Sequence, residues 1–404
     1  MRITQGMEQN QFLTALNQLE SNISLTQNGI STGLSFTTAS QNPVAAGLVN
    51  GYNQVLAQSQ QYTSNGQSAQ GSLNIEDNAL TQVQTQLQSV RDLALEANNA
   101  TVSGTNLSAI ASQVQQIQQT LLSIAITQDG TGNYIFAGYS TQTQPFAQTA
   151  AGASYSGDQG QRQVQLAAGQ TVTIGDNGDL VFNQIKTGNG TFSVTAGAAN
   201  TGTGIIGATS ASDPATYGNA SYTIQFTGPN AYEVLNSANV SVSTGTYTSG
   251  QAISYGGFQV TLSGSPATGD TFAVAPSANQ SVFTTVQNLV NALQQAPSTT
   301  SGSAPLNNAI AGAIDNIDQA LGQVQTVQSS VGARLNTITA QQSAATTQQT
   351  QLQESISTLQ SLNYPQAITT LDSQNTTLSA AMQAFTLTQG LSLFKYLLSE
   401  AGLP

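Results

Sequence analysis

The residues of this chain that could do chemistry are few. Its 404 residues include no His and no Cys, and only 6% are charged: six Lys and Arg against eighteen Asp and Glu. Without His the commonest general base and metal ligand is missing, and without Cys there is neither thiolate chemistry nor disulfide stapling. Gly202-Thr203-Gly204-Ile205-Ile206-Gly207 spells a dinucleotide-binding fingerprint. That fingerprint works only between a strand and a helix of a parallel sheet, and here it lies in a loop-rich stretch without helical pattern. A chance match is the better reading. Asp176 and Asp179 could offer oxygens to calcium around Asn177-Gly178, but the spacing is not that of a calcium loop, and a hairpin turn is favoured.

Two carboxylate pairs complete the candidates, Glu76 with Asp77 and Asp315 with Asp318. On exposed helix faces such groups serve solvation, and no neighbouring residue suggests a pocket that would shift a pKa. Arg334 stands alone in a long, nearly neutral helical stretch, flanked by Val331 and Leu335. An intrachain carboxylate or carbonyl partner is slightly favoured for it over a polar contact between subunits. No catalytic residue, cofactor or metal ligand is expected, and an enzyme is the weakest functional reading.

The elements that would carry a different function are much stronger signals. The net charge is −12, and six scattered basic residues cannot form a nucleic-acid footprint. No run approaches the apolar length of a membrane span. Residues 1–20 are polar and helix-patterned, unlike a cleavable secretory signal. From Ile310 the apolar positions step by four and three through Ile314, Ile317, Leu321, Val324, Gln328, Val331, Leu335 and Ile338, then Gln342, Ala345, Gln349, Leu352, Ile356 and Leu359. This is a coiled-coil period held in one phase, and it predicts a helix roughly 80 Å long. Asn363-Tyr364-Pro365 breaks it. A second seam follows at Ile368, Leu371, Asn375, Leu378, Met382, Phe385 and Gln389, ending in the apolar run Leu391, Leu393, Phe394, Tyr396, Leu397 and Leu398.

The N-terminal end mirrors this. Phe12, Leu16, Leu19, Ile23, Thr26 and Ile30 form one seam; a loop at 33–43 follows, and a second helix starts at Val44 with Leu48, Tyr52, Val55, Tyr62 and Ala69 on one face. Leu80 to Ala97 continue the period, and Leu107 to Ile124 make a third stripe. Residues 131–276 change to Gly, Thr, Ser, Tyr and Phe with period-two runs at 172–174, 180–182, 222–226, 232–234, 258–262 and 271–274. Helix resumes at Val282. The pattern predicts an α+β protein: a long antiparallel coiled-coil helical shaft formed by both chain ends, with an inserted β-rich domain. The expected division is a terminal helical tip at 1–42 and 364–404, a shaft at 43–145 and 276–363, and a β domain at 146–275. The tip buries too few apolar side chains to offset its ordering entropy with much margin. It is expected to gain order from neighbouring subunits.

Met1-Arg2-Ile3-Thr4, Ile30-Ser31-Thr32-Gly33, Pro43-Val44-Ala45-Ala46, the segment Gly132 to Gly138 and Val331-Gly332-Ala333-Arg334-Leu335-Asn336 resemble motifs of the flagellin superfamily. The ending Leu391 to Leu397 is similar to its hook–filament junction branch rather than to flagellin itself. The resemblance covers both ends and is weak over the β domain. It implies an adaptor of the bacterial flagellum, extracellular and exported without a cleaved signal. Its partners would be copies of itself in a ring-like junction layer, the preceding hook-associated protein, flagellin on the filament side, and a cytoplasmic export chaperone at the C-terminal tip. Contacts are expected at Phe12, Leu16, Leu19, Ile23, Leu371, Leu378, Phe385, Leu393, Phe394 and Leu397. Flagellin, or a surface adhesin on a helical stalk, are the rival readings. Basic residues usual after the Ser-Thr-Gly turn are replaced by Leu34 to Asn42, so that segment should make hydrogen-bonded or apolar contacts.

Overall fold

The computed structural model describes residues 5–99, 103–295 and 303–400, with Gln5 and 388–400 as backbone only. The helices are α1 (Gln5–Thr32), α2 (Pro43–Ala97), α3 (Gly104–Ala125), a short α4 (Pro214–Tyr217), α5 (Val282–Gln294), α6 (Ala304–Gln360) and α7 (Tyr364–Glu400). The chain forms two compact units, one of residues 1–63 with 343–404 and the other of residues 64–342.

In the larger unit the core is shared by α2, α3, α5 and α6. Ile310, Ile317, Val324, Val331 and Ile338 are buried at strict seven-residue intervals, the repeat that keeps one face of a helix against a neighbour. The intervening buried positions are Ala313, Ala320 and Val327. The expected seam residues Ile314, Leu321 and Leu335 pack beside them, only partly buried. The apolar stripe is therefore wider than a two-helix seam, because α6 contributes to a core built with three other helices. Ser103 caps α3 through the Asn106 N–H, and Ser281 caps α5 through the Phe283 N–H.

The β-rich region is not one body. Residues 146–185 pack into the helical core rather than into the β domain. Strands β1 (Phe146–Thr149) and β2 (Gly152–Tyr155) form one antiparallel hairpin, and β3 (Gln163–Ala167) and β4 (Gln170–Thr173) form another. Phe146 lies 5.2 Å from Phe283 and 5.3 Å from Phe182, ring centre to ring centre, and Phe136 lies 5.2 Å from Phe182. Leu180–Phe182, expected as a strand behind an Asn-Gly hairpin, is instead part of a π-helical turn over Asp179–Asn183. Its burial explains the difference: Val181 and Phe182 must both enter the core, which an alternating strand does not allow.

The remaining strands are built around a second core within the same compact unit. They are β5 (Ile185–Lys186), β6 (Phe192–Ala196), β7 (Ile205–Ala211), β8 (Tyr222–Gly228), β9 (Ala231–Asn236), β10 (Ser241–Thr246), β11 (Ala252–Tyr255), β12 (Phe258–Ser263), β13 (Thr271–Pro276) and β14 (Asn279–Gln280). A five-stranded sheet, β10-β9-β8-β13-β6, and a three-stranded sheet, β11-β12-β7, enclose one core with Phe192, Phe226, Phe258 and Phe272 fully buried. Strand β12 alternates buried and half-buried positions along its length, the period of a half-covered strand. The short β5–β14 pair closes the neck, where Thr187 N donates to Ala278 O at 3.0 Å.

Candidate functional site

The smaller unit pairs the two terminal helices. Gly33 ends α1 with φ +73° and donates to Gly29 O at 2.8 Å, the left-handed glycine cap of a helix C-terminus. The chain then makes a bridge from Leu34 to Ser361. Leu362 N donates to Gly33 O at 2.9 Å and Ser35 N to Gln360 O at 2.7 Å. Asn363 caps α7, its carbonyl accepting Ala367 N at 2.9 Å, which leaves Pro365 in the first turn, where its missing N–H costs nothing. Further along, Thr26 donates to Gln374 at 3.1 Å, and Phe12 stacks on Phe385 with centroids 4.6 Å apart and planes 8° from parallel. Rising numbers on α1 meet falling numbers on α7, so the pair is antiparallel.

Phe12, Leu16 and Leu19 are half-buried and Ile23 is buried, all on the expected α1 seam. On α7, Leu371, Leu378 and Phe385 are half-buried, and the half-buried positions between them are Gln374 and Ala381. Ile368, Asn375 and Met382, assigned to that seam from the sequence, are exposed. Leu393, Phe394 and Leu397 lie beyond the residues whose side chains are described. Leu13, Leu25, Ile368, Met382 and Leu387 remain exposed, apolar surface that α1 and α7 do not cover for one another. Helix α2 shows the same feature. Its buried positions in this unit are Ala45, Ala46, Val49 and Ser59, whereas Val44, Leu48 and Val55 are exposed, contrary to the expected face. Small residues are buried there because they let the α6 seam approach: Gln349 Nε2 donates to Ser59 Oγ at 3.2 Å and to Thr63 Oγ1 at 3.1 Å. In the 33–42 segment Phe36 packs on Ala45, Ala46 and Val49 with Ile356 and Leu359, and Gln41 Oε1 accepts the Thr37 N–H at 2.6 Å.

The sparse charges converge in the larger unit. Arg334 donates to both oxygens of Asp176 at 3.0 Å each and to Ser330 Oγ at 3.0 Å. Its partner is intrachain, the first of the two roles weighed for it. Gln161 Nε2 also reaches Asp176 at 3.0 Å. Glu76, expected to be solvated, is 2% exposed. Its Oε1 accepts the Asp176 N–H at 3.0 Å and its Oε2 has no hydrogen-bond partner. Burial, reinforced by the Asp176 charge, pushes the Glu76 carboxyl up to about 8. The helical period could show that Glu76 shares a face with Leu73 and Leu80; it could not show that a loop a hundred residues away would cover it.

The other candidates disperse. Asp179 accepts from Gln159, Asn183 and Gln184 rather than joining Asp176, so the two do not converge on a cation. Asp318 pairs with Arg91 at 2.6 Å, whereas Asp315 is half-buried and raised by burial and then by Asp318. Gly202 N donates to the Asp270 carboxylate at 3.1 Å and the fingerprint leads into β7, not a helix, so it cradles no phosphate. Among the described residues no group of three His, Cys, Asp or Glu could hold a metal, and no helix is long and apolar enough to cross a membrane.

The Gly132–Gly138 motif has a structural explanation. Gly138 has φ +70°, and a Cβ there would fall 2.2 Å from Asp158 Oδ1. That carboxylate accepts from Tyr139 N at 2.9 Å and from Ser140 Oγ at 2.7 Å, contacts that hold it below its ordinary range. Between the two glycines Phe136 enters the aromatic cluster, so the motif anchors the β hairpins to the helices.

Paired terminal helices, long α2 and α6 and an inserted β region are the architecture of the flagellin class of subunit. Residues 3–141 match the family described as the bacterial flagellin N-terminal helical region. The crystal structure of FlgL from Xanthomonas campestris is 33% identical with a TM-score of 0.71, over 76% of this chain and 99% of that one. The flagellar junction protein FlgL of Legionella pneumophila is 28% identical with a TM-score of 0.71, over 78% and 100%. Flagellar hook-associated protein 3 of Escherichia coli (strain K12) is 34% identical over 156 residues, 39% of this chain and 49% of that protein. The chain thus spans about half the length of the curated relatives it matches. It belongs to the FlgL family, that of flagellar hook-associated protein 3.

Proposed function

We propose that this chain is a structural adaptor of the bacterial flagellum, a non-enzymatic subunit that joins the hook to the flagellin filament. The observation that carries the reading is the apolar surface left open by the terminal helices. Leu13 and Leu25 on α1, Ile368, Met382 and Leu387 on α7, and Val44, Leu48 and Val55 on α2 are all exposed. Such side chains are stabilised by burial of about 1.5–3 kcal/mol each, which here must come from other subunits. Neighbouring copies, the preceding hook-associated protein and flagellin supply that cover in the assembled flagellum, by coiled-coil packing against the terminal helices. Before export a cytoplasmic chaperone covers the C-terminal end of α7, including Leu393, Phe394 and Leu397. The polar composition of the helices, with 6% charged residues overall, suits subunits packed side by side without like-charge repulsion.

The test is a strain lacking this chain. It should build hooks, release its filament protein into the medium and lose motility, and the wild-type sequence supplied in trans should restore attachment. Normal filaments on the null strain would refute the assignment. Glycan binding by the isolated β domain, together with normal filaments, would instead support an adhesin.

A further inference from the structure

Helix α6 carries Asn308, Gly312 and Asn316 at four-residue intervals, one above another on a single face. The two asparagines are clamps. Asn308 Oδ1 accepts the Ile206 N–H at 2.7 Å while its Nδ2 donates to Gly204 O at 3.0 Å. Asn316 Oδ1 accepts the Gly188 N–H at 2.7 Å. They fasten the β domain to the helix at two points roughly 12 Å apart along its axis. Gly312 lies midway, and a Cβ built on it would meet no atom within 4 Å. Close backbone approach therefore does not explain the glycine; what its missing side chain produces is space. A cleft of about 410 Å³ opens between the clamps, and a recess of about 170 Å³ shares its walls. The larger volume falls within the range of small-molecule sites.

The recess holds one charged group. Asp315 lines it, and among the described residues no cation or hydrogen-bond donor reaches its carboxylate. Asp318, the nearest acid, is occupied by Arg91. Residues 187–278 contain no Lys or Arg, and Lys186, just before them, is exposed and makes no ion pair with Asp315. Burial holds the Asp315 carboxyl above its ordinary range, as expected of an acid facing a partly dry cavity without a partner. Val194 and Ile206 supply apolar wall, and Thr195 and Gln280 supply neutral polar groups.

We propose that the recess, together with the cleft whose walls it shares, is a binding site for a small alkylammonium ligand, its ammonium on Asp315 in the recess and its aliphatic stem against Val194 and Ile206, which line both. The net charge of −12 favours encounter with such a cation. Recognition needs no movement of the clamps, since Asn308 and Asn316 already satisfy their backbone partners.

The probe is 1,4-diaminobutane, with 1,4-butanediol as a neutral control of the same length, titrated into the full-length chain. Heat of binding and the methyl resonances of Val194 and Ile206 are followed. The diamine should bind and move both methyl signals, and the diol should not. Asp315→Asn should weaken binding by at least about tenfold, the size of one lost charge-assisted contact. Gly312→Leu fills the cleft where a Cβ meets nothing, and helix propensity favours the change. It should abolish binding without lowering the melting temperature. If Gly312→Leu fails to fold, Asp315→Asn decides alone. Diamine affinity unchanged in Asp315→Asn, equal binding of the diol, or methyl signals that stay fixed to tens of millimolar diamine would each overturn the proposal.

Discussion

Arg334 on α6 grips Asp176 with two parallel 3.0 Å hydrogen bonds, and the Asp176 side chain is 1% exposed. The pair spans 158 positions of chain and fastens the loop before the π-helical turn to the middle of a 57-residue helix. It is the one deeply buried ion pair among the described residues; the other, Arg91–Asp318, is more than a third exposed on both sides.

Removing one member of a buried pair strands the other without solvent. Arg334→Ala should therefore lower stability by about 3–5 kcal/mol, measured by denaturant unfolding of the monomer. Arg334→Lys should recover only part of this, because a point charge cannot reproduce the two-pronged geometry. A loss near zero in the alanine variant would show that the pair is not structural.

Glu76 makes stability depend on pH in the direction opposite to most carboxylates. Its folded value of about 8 lies above the ordinary 4.5, so the native state binds the extra proton between those limits. Stability from this group is complete below about pH 4.5, falls as pH rises to about 8 and is flat beyond. The slope is at most roughly 1.4 kcal/mol per pH unit. Glu76→Gln keeps the acceptor for the Asp176 N–H and removes the charge. Melting temperatures of that variant should be flat across pH 5 to 8 relative to wild type. An unchanged slope would mean that Glu76 is ionised when folded.

The β region should divide unequally under deletion. Replacing residues 191–277 with a short Gly/Ser linker keeps the β5–β14 neck and removes a domain with its own core. The product should remain folded and support some motility. Replacing 146–274 also removes Phe146, Val181 and Phe182 from the helical core, and losses of about 2–5 kcal/mol per large side chain leave it unfolded or aggregated. Circular dichroism and swarming assays separate the two, and equal behaviour would contradict the division.

Deleting residues 364–404 removes α7 and with it the partner of Phe12. The unit of residues 64–342 keeps its whole core, so its melting transition should move by only a few degrees. Incorporation at the hook and chaperone binding should both be lost. Amide exchange in residues 5–32 should be fast in the full-length monomer and slow strongly on assembly. Strong protection in the isolated monomer would show that α1 and α7 fold without neighbours.

Much of this fold was legible in the amino-acid order because helical period is a local property. Phe12, Leu16, Leu19 and Ile23 share a face wherever they sit in a helix, and Ile310, Ile317, Val324 and Val331 repeat every seven residues. Asn363 with Pro365 stops one helix and starts another by chemistry confined to a few residues. Residue order therefore specified the long helices, the strands β4, β8, β9, β12 and β13, the pairing face of α1 and, through its motifs, the family. Only the tertiary structure decided which neighbour each face meets. It buried Glu76 under Asp176, gave Arg334 its carboxylate, turned residues 179–183 into a π-helix and left Leu48 and Val55 exposed while burying Ala45 and Ser59. These outcomes depend on pairs a hundred or more positions apart, or on the approach of a whole helix. A periodicity gives the angle of a side chain around its axis, but carries no term for what arrives at that angle.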